Sequence, residues 1–351
     1  MSLWIGIIVA LVVSLVSTPI AIKIAHKLGA VDLPNARKVH KEAIPRMGGI
    51  AIYLGFIFGA VALGFIDTKV IYLLIAASVI MGMGLIDDVK GLDPKTKLII
   101  EVVAALILIK GGFYVKFVTN PFDGGVISLG MLCIPVSVLW LVGICNAVNL
   151  VDGLDGLSAG ISAIAALTIS IVCFAQGEII ASSLAAVLAA SAFGFLRYNF
   201  HPARTFMGDC GSLFLGFMLG ALSIMGLSKG ATTVSIFIPF VIMGIPIFDT
   251  FFAIIRRTFL HKPVFEADKG HLHHRLLALG FSHRQAVLAM YGISLFLGAS
   301  AVLMAILTTP QAMILLIVVA VLTITGADRI GVLRGSRQEH LLGKKSEKPQ
   351  V

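Results

Sequence analysis

The sequence predicts an all-α integral membrane protein of about eleven transmembrane helices, with its N-terminus outside and its C-terminus cytoplasmic. Three observations carry this reading. Hydrophobic residues make up 58% of the chain and the mean hydropathy is +1.01, which excludes an ordinary soluble domain. The apolar residues gather into runs long enough to cross a bilayer, about 17 to 25 residues each. Lysine and arginine then divide very unequally between the two sets of loops that those runs create.

The runs are centred on residues 3–22, 48–66, 70–86, 97–114, 132–147, 157–175, 179–196, 211–228, 234–254, 286–307 and 312–327. The first does not resemble a cleavable signal. No basic residue precedes it and Lys23 follows it, so it is expected to remain as an uncleaved helix entered from outside. Eleven crossings then make the loops near 23–47, 87–97, 197–210 and 255–285 cytoplasmic, together with the tail. Of the 27 Lys and Arg, only Lys69, Lys110, Lys116 and Lys229 fall on the outer side. The chain therefore reads as one multi-pass domain over 1–327 and a basic cytoplasmic tail over 328–351, without internal repeats.

On this reading the net charge of +9 reflects topology. Basic loops held at a membrane attract anionic headgroups or anionic substrates, and nucleic acid is the weaker reading. Cys133, Cys145, Cys173 and Cys210 are scattered, without C-x-x-C spacing, and read as small apolar fillers.

Carboxylates beside apolar spans are costly and default to a functional reading. Asp87-Asp88 end the third span, Asn149, Asp152 and Asp155 lie between the fifth and sixth, Asp209 opens the eighth, and Asp249 lies near the end of the ninth. With His271, His273 and His274 in the following loop, all fall on the cytoplasmic side. The outer acids, Asp67, Asp123 and Glu178, form no cluster. Such one-sidedness suits an active site on the cytoplasmic face that meets a soluble substrate. A transporter would more often carry its ionisable residues near the midplane.

Each constellation has a plain structural reading beside the chemical one. Asp87-Asp88 could mark a helix leaving the membrane, but adjacent carboxylates can also split duties, one raised in pKa and one held ionised by a cation. The three-residue spacing of Asn149, Asp152 and Asp155 puts polar groups on one helical face, and the intervening glycines allow close approach. Asp209 could be only an N-cap, yet a carboxylate beside exposed amides can hold a cation that bridges to phosphate. Oxygen ligands and phosphate together point to Mg²⁺, with Mn²⁺ as the alternative. His271, His273 and His274, between Lys269 and Arg275, suit cationic or donor-rich contact with phosphate or sugar oxygens better than zinc. His26, His201, His261, His283 and His340 read as solvated loop residues, and the basic loop around His40, Lys41 and Arg46 can supply phosphate contacts. Pro239 and Pro246 could bend the ninth span and open a lipid-facing groove, or could simply be tolerated by neighbouring helices.

Taken in order, Pro45-Arg46-x-Gly-Gly, Asp87-Asp88, Asn149/Asp152/Asp155, Phe206-Met-Gly-Asp209 and His271-x-His273-His274-Arg275 resemble the polyprenyl-phosphate N-acetylhexosamine-1-phosphate transferase family over roughly residues 30–285. The H-x-H-H form is most like the bacterial undecaprenyl-phosphate N-acetylglucosamine-1-phosphate transferases, which start teichoic-acid, O-antigen (lipopolysaccharide) or enterobacterial common-antigen-type glycans. The phospho-N-acetylmuramoyl-pentapeptide transferases more often carry three consecutive histidines. The resemblance implies a multi-pass enzyme of the bacterial plasma (inner) membrane that uses Mg²⁺. A polyprenyl phosphate, undecaprenyl phosphate in bacteria, attacks the β-phosphorus of a UDP-N-acetylhexosamine, favoured as UDP-N-acetylglucosamine, and UMP leaves. It further implies Asp209 as metal ligand, supported by Asp152, and Asp87 and Asp88 around the acceptor phosphate with Asp87 as base. Asn149, Asp152 and Asp155 are implied at the sugar-nucleotide end, Lys41, Arg46 and Lys97 near the phosphates, and His271, His273 and His274 at the diphosphate or sugar. A homodimer is compatible with all of this.

Three rivals fit less well. The run from Asp152 to Ala159 resembles the start of a CDP-alcohol phosphotransferase motif, but Gly160 stands where that motif has Arg and no Asp follows until Asp209. An intramembrane aspartyl protease leaves most of the carboxylates unexplained. A cation-coupled transporter would release no UMP.

Overall fold

Inside a bilayer the backbone must satisfy its own hydrogen bonds, so apolar runs of this length fold as helices. The structure, a computed structural model, describes residues 2–32, 43–119, 125–227, 236–259 and 270–330. Its helices are α1 (Ser2–Leu28), α2 (Gly49–Leu63), α3 (Thr68–Lys90), α4 (Pro94–Lys110), α5 (Cys133–Val151), α6 (Leu157–Ala175), α7 (Ile179–Asn199), α8 (Gly208–Leu227), α9 (Phe237–Ile242), α10 (Gly244–Phe259), α11 (Leu272–Ala278), α12 (His283–Ile306) and α13 (Thr309–Ile330). Among the described residues, eight of the helical stretches are long and apolar enough to cross a membrane. The apolar helix α2 has 15 residues and α4 has 17.

The helix ends follow local chemistry. Asp67 caps α3 by accepting from the N–H of Val70 at 2.8 Å. Asp93 caps α4 with Pro94 behind it, where a missing N–H costs nothing. Ser282 and Gln285 form a reciprocal capping box at the start of α12.

The ninth predicted span is not one helix. It breaks at Met243 into α9 and α10. Pro239 and Pro246 both lie in the first turn of their own piece, and Pro246 has no N–H to return to Ile242, so the ladder lapses between them. Two pairs of short strands also interrupt the helices among the described residues. Strands β1 (Val31–Asp32) and β2 (Ile44–Pro45) pair antiparallel, as do β3 (Phe117–Thr119) and β4 (Val126–Ser128). Pairs this short leave no alternation that stands out against an apolar background. Residues 331–351 of the predicted tail lie outside the described residues.

Helix α8 packs against α2, α3, α5, α6 and α7, while α1 and α13 form the outside of the bundle. Trp4, Ile8 and Val16 of α1 and Ile314, Ile317 and Ile324 of α13 face outward. An apolar exterior on this scale belongs in lipid, and the fold is that of a multi-pass membrane protein.

The α3–α8 contact is backbone to backbone. A Cβ on Gly84 would lie 2.3 Å from Cα of Cys210, so the helices touch without side chains between them. Gly84→Ala should therefore force α8 off α3 at a cost of about 1–3 kcal/mol. A lowered thermal midpoint of the detergent-solubilised protein is expected, and an unchanged midpoint would show that the contact yields freely.

Candidate active site

Successive helical residues point about 100° apart, so Asp87 and Asp88 in the last turn of α3 cannot face one target. The structure divides them. Asp88, with a fully buried side chain, turns to the start of α8. Its Oδ1 accepts the N–H of Asp209 at 2.9 Å and its Oδ2 that of Cys210 at 3.1 Å. Arg46 completes it, with Nη2 at 3.3 Å from Oδ1. Arg46 is itself set by backbone bonds from its N–H to Ala30 and along 45–49 to the 205–207 segment, including Phe206 N–H to Pro45 and Gly49 N–H to Met207. Gly208 fits this crowding with a φ of 72° that suits glycine, and a Cβ there would lie 2.1 Å from the Arg46 carbonyl.

Asp87 turns to α4. Its Oδ1 accepts the N–H of Leu92 at 2.7 Å, and its Oδ2 meets Lys97 Nζ at 2.5 Å. The same ammonium lies 2.7 Å from Asp209 Oδ2. The acidic couple of the site is therefore Asp87 with Asp209, joined through Lys97, and not the adjacent pair Asp87-Asp88 from which the sequence reading began. Asp209, in the first turn of α8, also gains from the positive helix end.

The one-face reading of Asn149, Asp152 and Asp155 does not hold. Helix α5 stops at Val151, Asp152 is its C-cap, and the helical phase ends with it. Asn149 Nδ2 donates to Ser212 Oγ of α8 at 2.8 Å, and Asn149 also engages Asp209. The carboxyl of Asp152 is half-buried and feels those of Asp209, Asp88 and Asp155. Burial first, and then their like charge, push it up to about 8. Asp155 leaves this group. Its Oδ2 bonds His201 Nδ1 at 2.7 Å and accepts the Ala203 N–H at 3.1 Å.

His201 and His283, expected as solvated loop residues, are partly buried and stacked with centroids 4.2 Å apart. Asp155, His201 and His283 bring ligand-type atoms within 4.8 Å of one another. Yet the two rings are only 18° from parallel, so their planes meet far from the point, about 2.1 Å from each nitrogen, where a metal would have to sit. The group is a clamp. It fastens the α5–α6 turn to the 201–203 segment and the start of α12, and the Arg284 guanidinium, bonded to the His201 carbonyl, tightens it.

The three predicted histidines also part company. His271 Nδ1 bonds Asp249 Oδ2 at 2.8 Å. His273 is buried against Gly153, beside Asp152, and both of its ring nitrogens lack a partner. Burial pushes its pKa down to about 4, so it is neutral near pH 7 and offers one donor and one acceptor, not the cation that the flanking basic residues suggest. His274 is exposed. Lys41, His40, His261 and His340 lie outside the described residues.

Sequence reading missed the buried Glu101, one turn beyond Lys97, whose Oε2 accepts from Asn146 Nδ2 at 2.5 Å. A carboxylate inside an apolar segment was the signal. Cys145, Cys173 and Cys210 are buried free thiols, in keeping with their reading as fillers.

The glycosyl transferase family 4 profile matches residues 70–227, the stretch that holds Asp87, Asp88, Lys97, Asn149, Asp152, Asp155 and Asp209. The chain is 46% identical over 301 residues to a probable undecaprenyl-phosphate N-acetylglucosaminyl 1-phosphate transferase of Bacillus subtilis, covering 86% of this chain and 84% of the relative. The chain belongs to glycosyl transferase family 4. Another relative is a decaprenyl-phosphate N-acetylglucosaminephosphotransferase of Mycobacterium tuberculosis, 39% identical over 90% of this chain and 86% of the relative. A phospho-N-acetylmuramoyl-pentapeptide-transferase of Staphylococcus aureus is 31% identical over 83% of this chain and 95% of the relative. The motif resemblance to polyprenyl-phosphate N-acetylhexosamine-1-phosphate transferases is thus met across most of the chain.

In this family 4 chain the Asp88 carboxylate is a structural joint as well as a charge. Asp88→Ala should leave two buried amides unpaired, at about 1–3 kcal/mol each, whereas Asp88→Asn keeps one acceptor and should fall between. Thermal unfolding in detergent checks the order, and an Ala variant as stable as wild type would refute it.

Proposed function

We propose that the chain transfers N-acetylglucosamine-1-phosphate from UDP-N-acetylglucosamine to undecaprenyl phosphate, giving undecaprenyl-diphosphate-N-acetylglucosamine and UMP, as the first membrane step of a cell-envelope glycan. The reading rests above all on Lys97 held between Asp87 and Asp209, with Asp152 and Asn149 beside them, and is supported by the names of the relatives. A family of transferases leaves the transporter reading without support. The identity to the N-acetylglucosamine-transferring relatives exceeds that to the pentapeptide transferases, which favours the former donor.

The electrostatics suit an anionic substrate met through a cation. Asp87, Asp88 and Asp209, with the raised carboxyl of Asp152 able to ionise beside a cation, are set against the ion-paired Lys97 and Arg46. An excess of negative charge on oxygen ligands fits Mg²⁺ or Mn²⁺, with Asp209 and Asp152 as the residues that would hold it. When bound, the ion would supply charge neutralisation to the donor diphosphate.

The chain's own groups do the rest. Asp88 fixes α8 and so aims Asp209. Lys97 and Arg46, with Lys41, draw in the phosphates, and alignment with charge neutralisation supplies most of phosphoryl-transfer catalysis. An oxygen of the lipid phosphate attacks the β-phosphorus, the bond to the UMP oxygen breaks, and Asp87 takes any proton the acceptor still carries. His273, neutral and with two orphaned nitrogens, would receive polar groups of the donor next to Gly153. Eleven crossings, the ninth through the broken pair α9 and α10, would put this site on the cytoplasmic face of the bacterial plasma membrane. The helical unit would be the catalytic domain and the basic tail an appendage.

Purified protein with undecaprenyl phosphate, Mg²⁺ and a panel of UDP-sugars should release UMP and form lipid product with UDP-N-acetylglucosamine above all. Chelation should abolish turnover and Mg²⁺ should restore it. Asp209→Asn should lose about 10²–10³-fold in kcat without loss of folded protein, the scale on which removal of a charge-stabilising group acts. Full activity of Asp209→Asn, or turnover indifferent to chelation, would sink the metal assignment; preference for the muramoyl-pentapeptide donor would sink the sugar assignment.

A further inference from the structure

Asp249 belongs to none of the motifs and takes no part in the function proposed above, yet it is among the most completely used carboxylates in the protein. It lies on α10, just past the break at Met243, with a side chain only 2% exposed, and its partner His271 is 7% exposed. Oδ2 meets His271 Nδ1 at 2.8 Å, and Oδ1 accepts the backbone N–H of Leu272 at 2.8 Å. An ionised carboxylate only accepts, so Nδ1 of His271 must carry the proton and Nε2 is left as the other edge of the ring. The ring of His271 lies parallel to that of His273, 8° apart with centroids at 5.8 Å, and His273 rests on Gly153 beside Asp152. Helix α11 has seven residues, too few to hold itself, so the bond to Leu272 also fixes where it begins.

We propose that Asp249 is a positioning residue that acts through His271, fixing its tautomer and ring orientation so that Nε2 is offered as an acceptor to a hydroxyl or amide hydrogen of the donor's sugar. The proposal rests on the transfer reading above and assigns a donor-side role to a residue which that reading leaves idle. One carboxylate then sets both the register of α11 and the hydrogen-bonding sense of its first histidine. A tautomer locked from behind by a buried carboxylate is a common means of giving an imidazole a single sense.

Asp249→Asn tests this, because asparagine has the same shape and keeps one oxygen for the Leu272 N–H. It presents an NH₂ to Nδ1, so the imidazole must carry its proton on Nε2 and meets the donor with the wrong sense. The expected result is a KM for UDP-N-acetylglucosamine raised about 10- to 50-fold, the scale of one misplaced buried hydrogen bond. The KM for undecaprenyl phosphate and the thermal midpoint should stay within about twofold and two degrees of wild type on the same scale. His271→Asn is the second variant. Its amide occupies the Nδ1 position and keeps the bond to Asp249 while removing the Nε2 edge, so it should show the same rise in donor KM even if Asp249→Asn does not fold. In the double variant, Asp249→Asn should add nothing to His271→Asn. An unchanged donor KM in either single variant, an equal rise in the acceptor KM, or full additivity in the double variant would overturn the proposal. Wild-type protein that releases no UMP under the same conditions would overturn the transfer reading itself, and this proposal with it.

Discussion

The joint between the Asp88 carboxylate and the first amides of α8 is the interaction on which the rest of the site depends. A buried ionised carboxylate costs several kcal/mol unless it is met by donors on every side. Here two backbone N–H groups and the Arg46 guanidinium meet it. Those amides are among the four that a helix leaves unbonded at its N-terminus, so one bond set satisfies both the acid and the helix end. It also fixes the rotation of α8, which decides where Asp209 and Ser212 point and hence what Lys97 and Asn149 can reach.

Around that joint the protein separates two demands that conflict in most membrane proteins. The exterior is apolar enough to dissolve in lipid, with isoleucine, leucine and phenylalanine facing outward. The ends of α3 and α5 and the starts of α4 and α8 meanwhile gather acids and bases that lipid would not tolerate. Short turns keep the two apart. The α5–α6 turn is pinned by Gly156 N–H to Asn199 Oδ1 and by the Tyr291 hydroxyl to the Gly156 carbonyl, and Asp155 with His201 pulls its far side outward. The polar residues are held by one another, and the apolar helices supply only the frame.

The frame was legible in the sequence because hydropathy acts over twenty residues at a time. The site was legible in part. Asp87, Asp88, Asn149, Asp152 and Asp209 do come together, since each abuts the end of an apolar run and those ends meet. Asp155 and the histidines illustrate the limit. Which way a side chain turns depends on where a helix stops: α5 ends at Val151, and Asp155, four residues on, turns to His201. The break at Met243 was half legible: two prolines signalled a bend, but their separation allowed the ladder to stop altogether. Glu101 was passed over, and Asp249 was placed on the cytoplasmic side but given no role, because one acid alone has no pattern. Only contact with Asn146 or His271 gives such a residue meaning.

The closeness of α3 to α8 has a consequence for how such a protein can vary. At Gly84 and at Gly208 the nearest opposing atom belongs to main chain: Cα of Cys210 in one case, the carbonyl of Arg46 in the other. A side chain that is too large can usually be accommodated by trimming its neighbour. Main chain cannot be trimmed. No second substitution at the facing residue restores the space, so lesions at these two positions lack local suppressors. Compensation would have to come from sliding a whole helix, which would carry Asp209 away from Lys97. The stretch of the chain that holds the site is therefore also the stretch with the fewest routes of escape.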